Sequence, residues 1–294
     1  MKTKLQKLSW WLPLLRLCPV GTPGKSRLGH WLLRSALHER DVMMQTQRDE
    51  SFLVPSLAEP IGFHLLVDGV YEPETLAFVL HSLTSGSTFV DVGANIGVFT
   101  IPAGRAVGET GCVLAIEPSP RVFPYLSHNV TVNGVTNVFL HEGAIFAHNV
   151  PQLPFYEAPV EHFGMGALAP QFFAEPIFVA ARSLDSLLAE KGIGRVDLLK
   201  VDVEGFEAAV FRGATALLTG SVPPVILFEF CDWAEERMSQ GTVGDAQRML
   251  LDLGYCLWRL EDFVSGRRPL HAVLTSGSAM LIASKNPLSR LGEG

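Results

Sequence analysis

The chain is predicted to fold as an α/β domain, a mostly parallel sheet with helices on both faces. Three observations carry this expectation. Short runs at 88–92, 112–117, 196–201 and 225–230 are largely apolar rather than alternating, as strands covered on both faces are. Each run is trailed by a helix or turn signal, the order that builds a parallel sheet. The runs also close on acids, Asp91, Glu117, Asp202 and Glu229. Neighbouring strands of this kind would line carboxylates along one rim, outside their carboxyl ends, where open sheets bind ligands.

Residues 1–60 read as a helical and loop-rich extension, with Trp31-Leu32-Leu33 and Leu37 as the best helical stretch. At its start Lys2, Lys4 and Lys7 precede an apolar run over 8–15. A bilayer-spanning helix takes about 20 apolar residues, so that run is too short, and no A-x-A-like cleavage site follows it. Leu5, Leu8, Trp11, Leu12 and Leu15 fall at helical spacing. The segment reads as a helix packed on the domain, as one lying at a membrane surface, or as a disordered stretch or poor signal sequence, and Pro13 would disturb a helix. Gly21-Thr22-Pro23-Gly24-Lys25-Ser26 is not a phosphate loop, because the pattern needs glycine at 19 and Pro19 stands there.

A helix is predicted over 73–80 with Pro73 in its first turn, then strands near 88–92, 112–117 and 136–141. Ser119-Pro120 reads as a helix cap followed by a first-turn proline, and Pro124 makes that helix start late or bend. Residues 151–156 and 177–181 are expected to pair as an antiparallel excursion around His162. After Glu204 a single helix carries Phe206, Ala209, Val210, Gly213 and Leu217 on its apolar stripe. Strands at 225–230 and 279–283 complete the set.

Phe89-Val90-Asp91-Val92-Gly93-Ala94-Asn95-Ile96-Gly97 is the most informative stretch. It reads as a buried strand that breaks into a glycine-rich turn and then a helix. Glycine lets a ligand approach the backbone, and the helix start offers free N–H groups. A dinucleotide fingerprint beginning at Gly93 needs glycines at 95 and 98, where Asn95 and Val98 stand. A nicotinamide-dependent oxidoreductase is therefore disfavoured. The pattern D-x-G-x-N-x-G suits S-adenosylmethionine, whose ammonium needs carboxylate or carbonyl oxygens and whose carboxylate needs N–H donors. Asp91 and the turn would supply both. Glu117, 24 residues after Gly93, is near the spacing at which such sites place an acid on the ribose hydroxyls. Asp202 and Glu204, in Lys200-Val201-Asp202-Val203-Glu204-Gly205, lie on one side of an extended segment.

These stretches resemble the FkbM family of S-adenosylmethionine-dependent methyltransferases. The likeness extends to Asn129, to Arg182-Ser183-Leu184-Asp185-Ser186-Leu187, to 224–230 and to Gly69-Val70-Tyr71-Glu72. It covers residues 61–285, leaving a 1–60 extension and a 286–294 tail. The resemblance implies a class I methyltransferase (Rossmann-like) fold, with a mostly parallel seven-stranded sheet, helices on both faces and an antiparallel last strand. It implies S-adenosylmethionine as cofactor, bound by Glu72, Asp91, Gly93, Asn95, Gly97, Glu117, Ala144 and Asp202. It also implies methylation, most often of a hydroxyl oxygen on a sugar, lipid or other natural product. One segment departs from the family pattern: Glu161-His162-Phe163-Gly164-Met165-Gly166-Ala167-Leu168 lacks the usual polar Asn and Ser. That segment is expected to touch the acceptor, pointing to one less polar than a sugar.

Methyl transfer from a sulfonium is an in-line displacement, and a hydroxyl acceptor needs a group to take its proton. Glu204 is the expected base, Asp202 the anchor of the cofactor's methionine end, and Glu229 the third candidate of the catalytic set. Lys200 reads as a structural partner, and His162 as either a solvated loop residue or a substrate contact. The acids would suit a hard cation, but nothing in their spacing requires one, and no metal is expected. A net charge of −7 argues against nucleic acid as the main partner. Residues 1–60 run the other way, with nine Lys/Arg against five Asp/Glu, which keeps membrane contact open. The four cysteines form no C-x-x-C pair, so neither zinc nor a redox motif is supported. Cys112 and Cys256 are expected to be packed thiols, and a cytoplasmic setting fits. A non-catalytic S-adenosylmethionine-binding scaffold and N-methylation are the alternatives.

Overall fold

The computed structural model describes residues 12–237 and 242–286. Helices α1 (Leu12–Leu17) and α2 (Lys25–Leu33) are followed by a hairpin of β1 (Arg40–Gln45) and β2 (Ser51–Ser56). Helices α3 (Pro60–Val67) and α4 (Pro73–Ser82) lead to β3 (Thr88–Val92), α5 (Thr100–Val107), β4 (Cys112–Glu117), α6 (Phe123–Val132) and β5 (Val138–Glu142). An excursion of β6 (Ala144–Ile145), β7 (Val150–Phe155) and β8 (Ile177–Arg182) follows. Then come α7 (Leu184–Glu190), β9 (Leu198–Val201), α8 (Glu207–Arg212), α9 (Thr215–Thr219) and β10 (Val225–Cys231). The chain closes with α10 (Asp232–Glu235), α11 (Asp245–Asp252), β11 (Cys256–Arg259), α12 (Leu260–Val264) and β12 (Ser278–Ser284).

The main sheet has seven strands in the order β11-β12-β10-β9-β3-β4-β5. Strands β10, β9, β3, β4 and β5 run parallel, while β12 is antiparallel to both β10 and β11. This is the class I architecture that the resemblance implies. The last strand does not sit at the edge; it is inserted between β10 and β11. From β3 the chain first builds outward through β4 and β5, then returns to add β9 and β10 on the other side. The carboxyl ends of β3 and β9 therefore flank the switch in strand order, where such sheets open a crevice.

Successive residues of a strand point to opposite faces, and the core divides accordingly. Phe89, Val113 and Ala115 join one apolar layer with Phe52, Phe78 and Ile101. Val90, Leu114 and Ile116 join the other with Phe211, Phe228 and Leu250. Continuous apolarity in the strands is thus a direct consequence of two covered faces. Leu33, Phe52 and Val54 pack in the first of these layers.

Several elements differ from the sequence expectation. The lead-in contains the β1–β2 hairpin rather than helix and loop alone. Its inner strand β2 is secured from a distance: Asn129 on α6 accepts from Leu53 N at 2.7 Å and donates to Leu53 O, and Asn133 pairs with both backbone groups of Ser51. No local pattern could reveal that pairing. The stripe after Glu204 is two helices, not one. The chain breaks at Gly213, where a Cβ would lie 2.1 Å from the Phe146 carbonyl oxygen. Asp185 caps the second piece by accepting from Ala216 N and Leu217 N at 2.8 and 3.0 Å. Helix α6 starts late, with Pro124 in its first turn and Ser119 capping the turn before it. The antiparallel excursion forms as predicted. Cys256 is exposed rather than packed, and Cys112 is half-buried. Of the N-terminal helix, Leu5, Leu8 and Trp11 lie outside the described residues, while Leu15 is buried.

Asn129 is fully buried and also donates to Ile96 O at 2.9 Å, so it ties the hairpin to the turn after β3. Asn129→Ala would strand Leu53 N–H and Ile96 C=O away from water. The expected loss is on the order of 3 kcal/mol in urea unfolding, with the hairpin amides losing exchange protection first.

Candidate active site

A cavity of about 310 Å3 opens at the carboxyl ends of β3, β4, β9 and β10. Its floor is the turn after β3. Gly93 adopts φ +79°, and a Cβ there would lie 1.9 Å from the Asp202 carbonyl oxygen, so only glycine lets the β3 and β9 loops meet. Gly93 N and Ala94 N donate to Ile116 O at 3.0 and 2.9 Å. Asn95, at φ +51°, donates its N–H to Glu117 Oε2 at 3.0 Å, and Ser119 N donates to the other oxygen at 2.9 Å. Burial pushes the Glu117 carboxyl up to about 7. Each carboxylate oxygen has a further lone pair, so Glu117 can still accept from a ligand hydroxyl.

Beneath this floor lies a buried charge network. Asp91 is wholly enclosed, accepts from Thr100 Oγ1 at 2.7 Å, and lies 3.9 Å from Lys200 Nζ. Lys200 donates to Asp202 Oδ2 at 3.0 Å and stands 5.0 Å from the Phe99 ring centroid. Burial pulls the lysine down, but Asp202, Asp91 and Glu72 outweigh it and hold the ammonium above its ordinary range. Burial raises Asp91 against the opposing pull of Lys200. Among the sequence-predicted residues, Glu72, Gly93, Asn95, Glu117, Ala144, Asp202, Glu204 and Glu229 line the cavity. Asp91 and Gly97 do not; they stand behind its wall and shape it.

The far wall is acidic. Glu204 lies at φ +54°, and burial followed by the field of Asp202 pushes it up to about 7, with Arg237 opposing. Glu229, near the end of β10, is pushed up to about 10 by burial and then by Asp202 and Glu204. Glu72, at φ +41° ahead of Pro73, is raised by burial and by Asp202. Glu59 caps α3 by accepting from Gly62 N at 2.9 Å and is pushed up to about 7 by burial. Three side chains in a backbone region costly to non-glycine residues, Glu72, Asn95 and Glu204, thus face one cavity. Such strain gathers where a site is held in a working geometry.

Apolar side chains share the lining: Phe99, Ile116, Phe155, Met165, Leu168 and Phe206. Residues 164–168 of the departing segment line the cavity, whereas His162 does not. Its ring stacks on Phe172 at 4.9 Å, while Phe163 packs under Tyr125 and Arg121. The donor set fits a ligand carrying cationic centres and vicinal hydroxyls: six carboxyl groups face the cavity against the single ammonium of Lys200.

Two residues with clear roles escaped sequence reasoning. Glu59 was signalled only by the proline after it. Glu207 is buried beneath the Val203–Gly205 turn and accepts from Val203 N at 3.1 Å and Gly205 N at 3.4 Å. It grips the backbone on either side of Glu204.

A model of the methyltransferase FkbM domain matches residues 91–257. The chain is similar to Methyltransferase 1 of Beauveria bassiana, 28% identical over 218 residues, which cover 68% of this chain and 82% of that protein. Methyltransferase sdnD of Sordaria araneosa is 30% identical over 161 residues, 45% of this chain and 62% of its own length. Among solved structures, methyltransferase FkbM from Methylobacillus flagellatus aligns with a TM-score of 0.45 at 12% identity, over 95% of this chain and 60% of that one.

Burial raises Glu207 from an ordinary 4.5 to about 8. The folded state therefore holds its proton more tightly than the unfolded chain. That stabilisation is complete below about 4.5 and is lost as pH rises through about 8. Glu207→Gln keeps an acceptor oxygen for the turn and cannot ionise. Its urea-unfolding free energy is expected to fall less steeply than that of the parent across this window; equal slopes would show that Glu207 does not titrate there.

Proposed function

The chain belongs to the FkbM methyltransferase family, and from that premise we propose that it methylates a hydroxyl oxygen of a sugar, lipid or other natural-product acceptor, with Glu204 as base. The observation that carries this reading is Glu204 itself: on the cavity wall, strained, and pushed up to about 7. A carboxyl group with that affinity is partly ionised near neutral pH, the range in which a base both exists in its acceptor form and holds the proton it takes.

S-adenosylmethionine is the methyl donor and, when bound, supplies an electrophilic methyl group on a sulfonium. In this reading Glu117 receives the ribose hydroxyls with its remaining lone pairs. Asp202 and Glu72 receive the ammonium, and the Gly93–Asn95 turn lets the ligand lie close to the backbone. Asp91 acts from behind, fixing Lys200 and, through it, the carboxylate of Asp202. Glu229, pushed up to about 10, keeps its proton at neutral pH and can donate a hydrogen bond that orients the acceptor oxygen. Met165, Leu168 and Phe155 exclude water and suit an acceptor with an apolar body beside its hydroxyl. The catalytic domain in this reading is residues 61–285.

Calorimetric titration with S-adenosylmethionine is expected to give saturable binding that Glu117→Ala weakens by more than about tenfold, since it loses a charge-assisted contact. Glu204→Gln should lower turnover about a hundredfold to ten-thousandfold, the usual range for removing a general base, while donor affinity changes little. Lost donor binding in Glu204→Gln would instead assign that residue to the cofactor. Nearly intact turnover would point to an amine acceptor that needs no base.

A further inference from the structure

Among the described residues, α1 and α2 are fastened to the body on one side only. Arg16 donates to the carbonyls of Leu66 and Leu65 at 3.3 and 3.0 Å, at the end of α3. Lys25 pairs with Asp68 at 2.5 Å and donates to Cys18 O at 2.7 Å. Leu15, Gly29 and Leu33 complete the buried side. The other side is open. Leu14 and Leu17 are one turn apart on the outer face of α1, and Arg27, Leu28 and Trp31 share the outer face of α2, with exposed Arg34 capping its end. Leu17 is 78% and Trp31 73% exposed, far more than side chains of this size need be. Charge adds a second, independent observation. The first 38 residues carry seven Lys/Arg and no Asp/Glu, whereas the rest of the chain carries 16 against 30; of the seven, Arg16 and Lys25 are bound to the body, and Arg27 and Arg34 stand on the open face.

We propose that this face docks the protein on an anionic membrane surface. Leucine and tryptophan side chains enter the interface, and arginine stems lie along it with their charge at the headgroups. Each basic residue near such a surface contributes about 1 kcal/mol of attraction, and the acidic body turns the basic face toward it. A nucleic acid fits less well: the exposed leucines give a phosphate backbone nothing to bind, and the surface is small in charge against an acidic remainder. The placement also has a geometric sequel. Helix α3, on which the docking helices are anchored, carries Glu59, Pro60 and Ile61 into the main cavity. A second recess, lined by Val20, Pro73, Leu260 and Met280 together with Glu74, Arg259 and Glu261, shares Glu72 with that cavity. A membrane contact through α1 and α2 thus brings the bilayer beside a recess that shares one wall residue, Glu72, with the main cavity.

The test needs no activity and so stands apart from the methyl-transfer reading. The full chain is sedimented with phosphatidylcholine vesicles, with and without phosphatidylserine. Binding is expected only to the anionic vesicles and should weaken as salt rises. Arg27→Glu, Trp31→Ser and Arg34→Glu together should reduce it by about tenfold or more, with circular dichroism confirming an unchanged fold. Should the triple variant fail to fold, Trp31→Ser alone is read and is expected to lose part of the binding. No sedimentation with either vesicle, undiminished binding by the folded variants, or binding to a soluble polyanion such as heparin without binding to vesicles would each overturn the proposal.

Discussion

The ammonium of Lys200 and the carboxylates it holds, Asp91 and Asp202, join the two halves of the molecule at the point where the strand order reverses. Lys200 and Asp91 are register partners on β9 and β3, and both are cut off from solvent. A buried ion pair gains little over apolar packing, but removing one member leaves an uncompensated charge in the interior. The network therefore acts more through specification than through strength. It admits one register between β3 and β9, and that register sets the Gly93 turn against the Asp202 backbone. Asp202, the partly exposed member, is aimed at the cavity as a result.

A second economy runs through the site. The acids that face the cavity are positioned by acids buried behind or beside them. Glu117 serves both roles, receiving the Asn95 and Ser119 amides while keeping lone pairs turned to the cavity. Glu207 receives the amides on either side of Glu204 and has no contact with the cavity. Buried carboxyls are costly unless hydrogen-bonded, and here their bonds go to the strained turns that need holding. Burial, and after it the field of neighbouring acids, raises the affinities of Glu204 and Glu229 to different degrees, separating an ionisable group from one that stays protonated.

The sheet and the acidic rim were legible in the sequence because both are local signals: apolar runs of strand length, each ending in a carboxylate. Glu72, Glu117, Asp202, Glu204 and Glu229 were found this way or through the FkbM likeness, and they do line one cavity. What was not legible depends on distant partners. The β1–β2 hairpin owes the anchoring of its inner strand β2 to Asn129 and Asn133, more than seventy residues away. The break at Gly213 follows from the approach of the Phe146 carbonyl. Asp91 reads from its motif as a ligand contact, yet Thr100 and Lys200 enclose it. His162 reads as polar and available, yet Phe172 offers its ring a stacking partner.

The insertion of β12 between β10 and β11 also bears on how the molecule is made. A ribosome delivers residues 278–284 after every other strand of the sheet. Until they emerge, β10 presents an open hydrogen-bonding edge, and β11 has no neighbour in the main sheet. Glu229 lies opposite Met280 across that junction, so one acid of the rim gains its final neighbour only when the closing strand docks. A nascent chain halted before this step has most of its core yet an exposed strand edge in mid-sheet, the kind of surface that chaperones cover and that aggregates recruit.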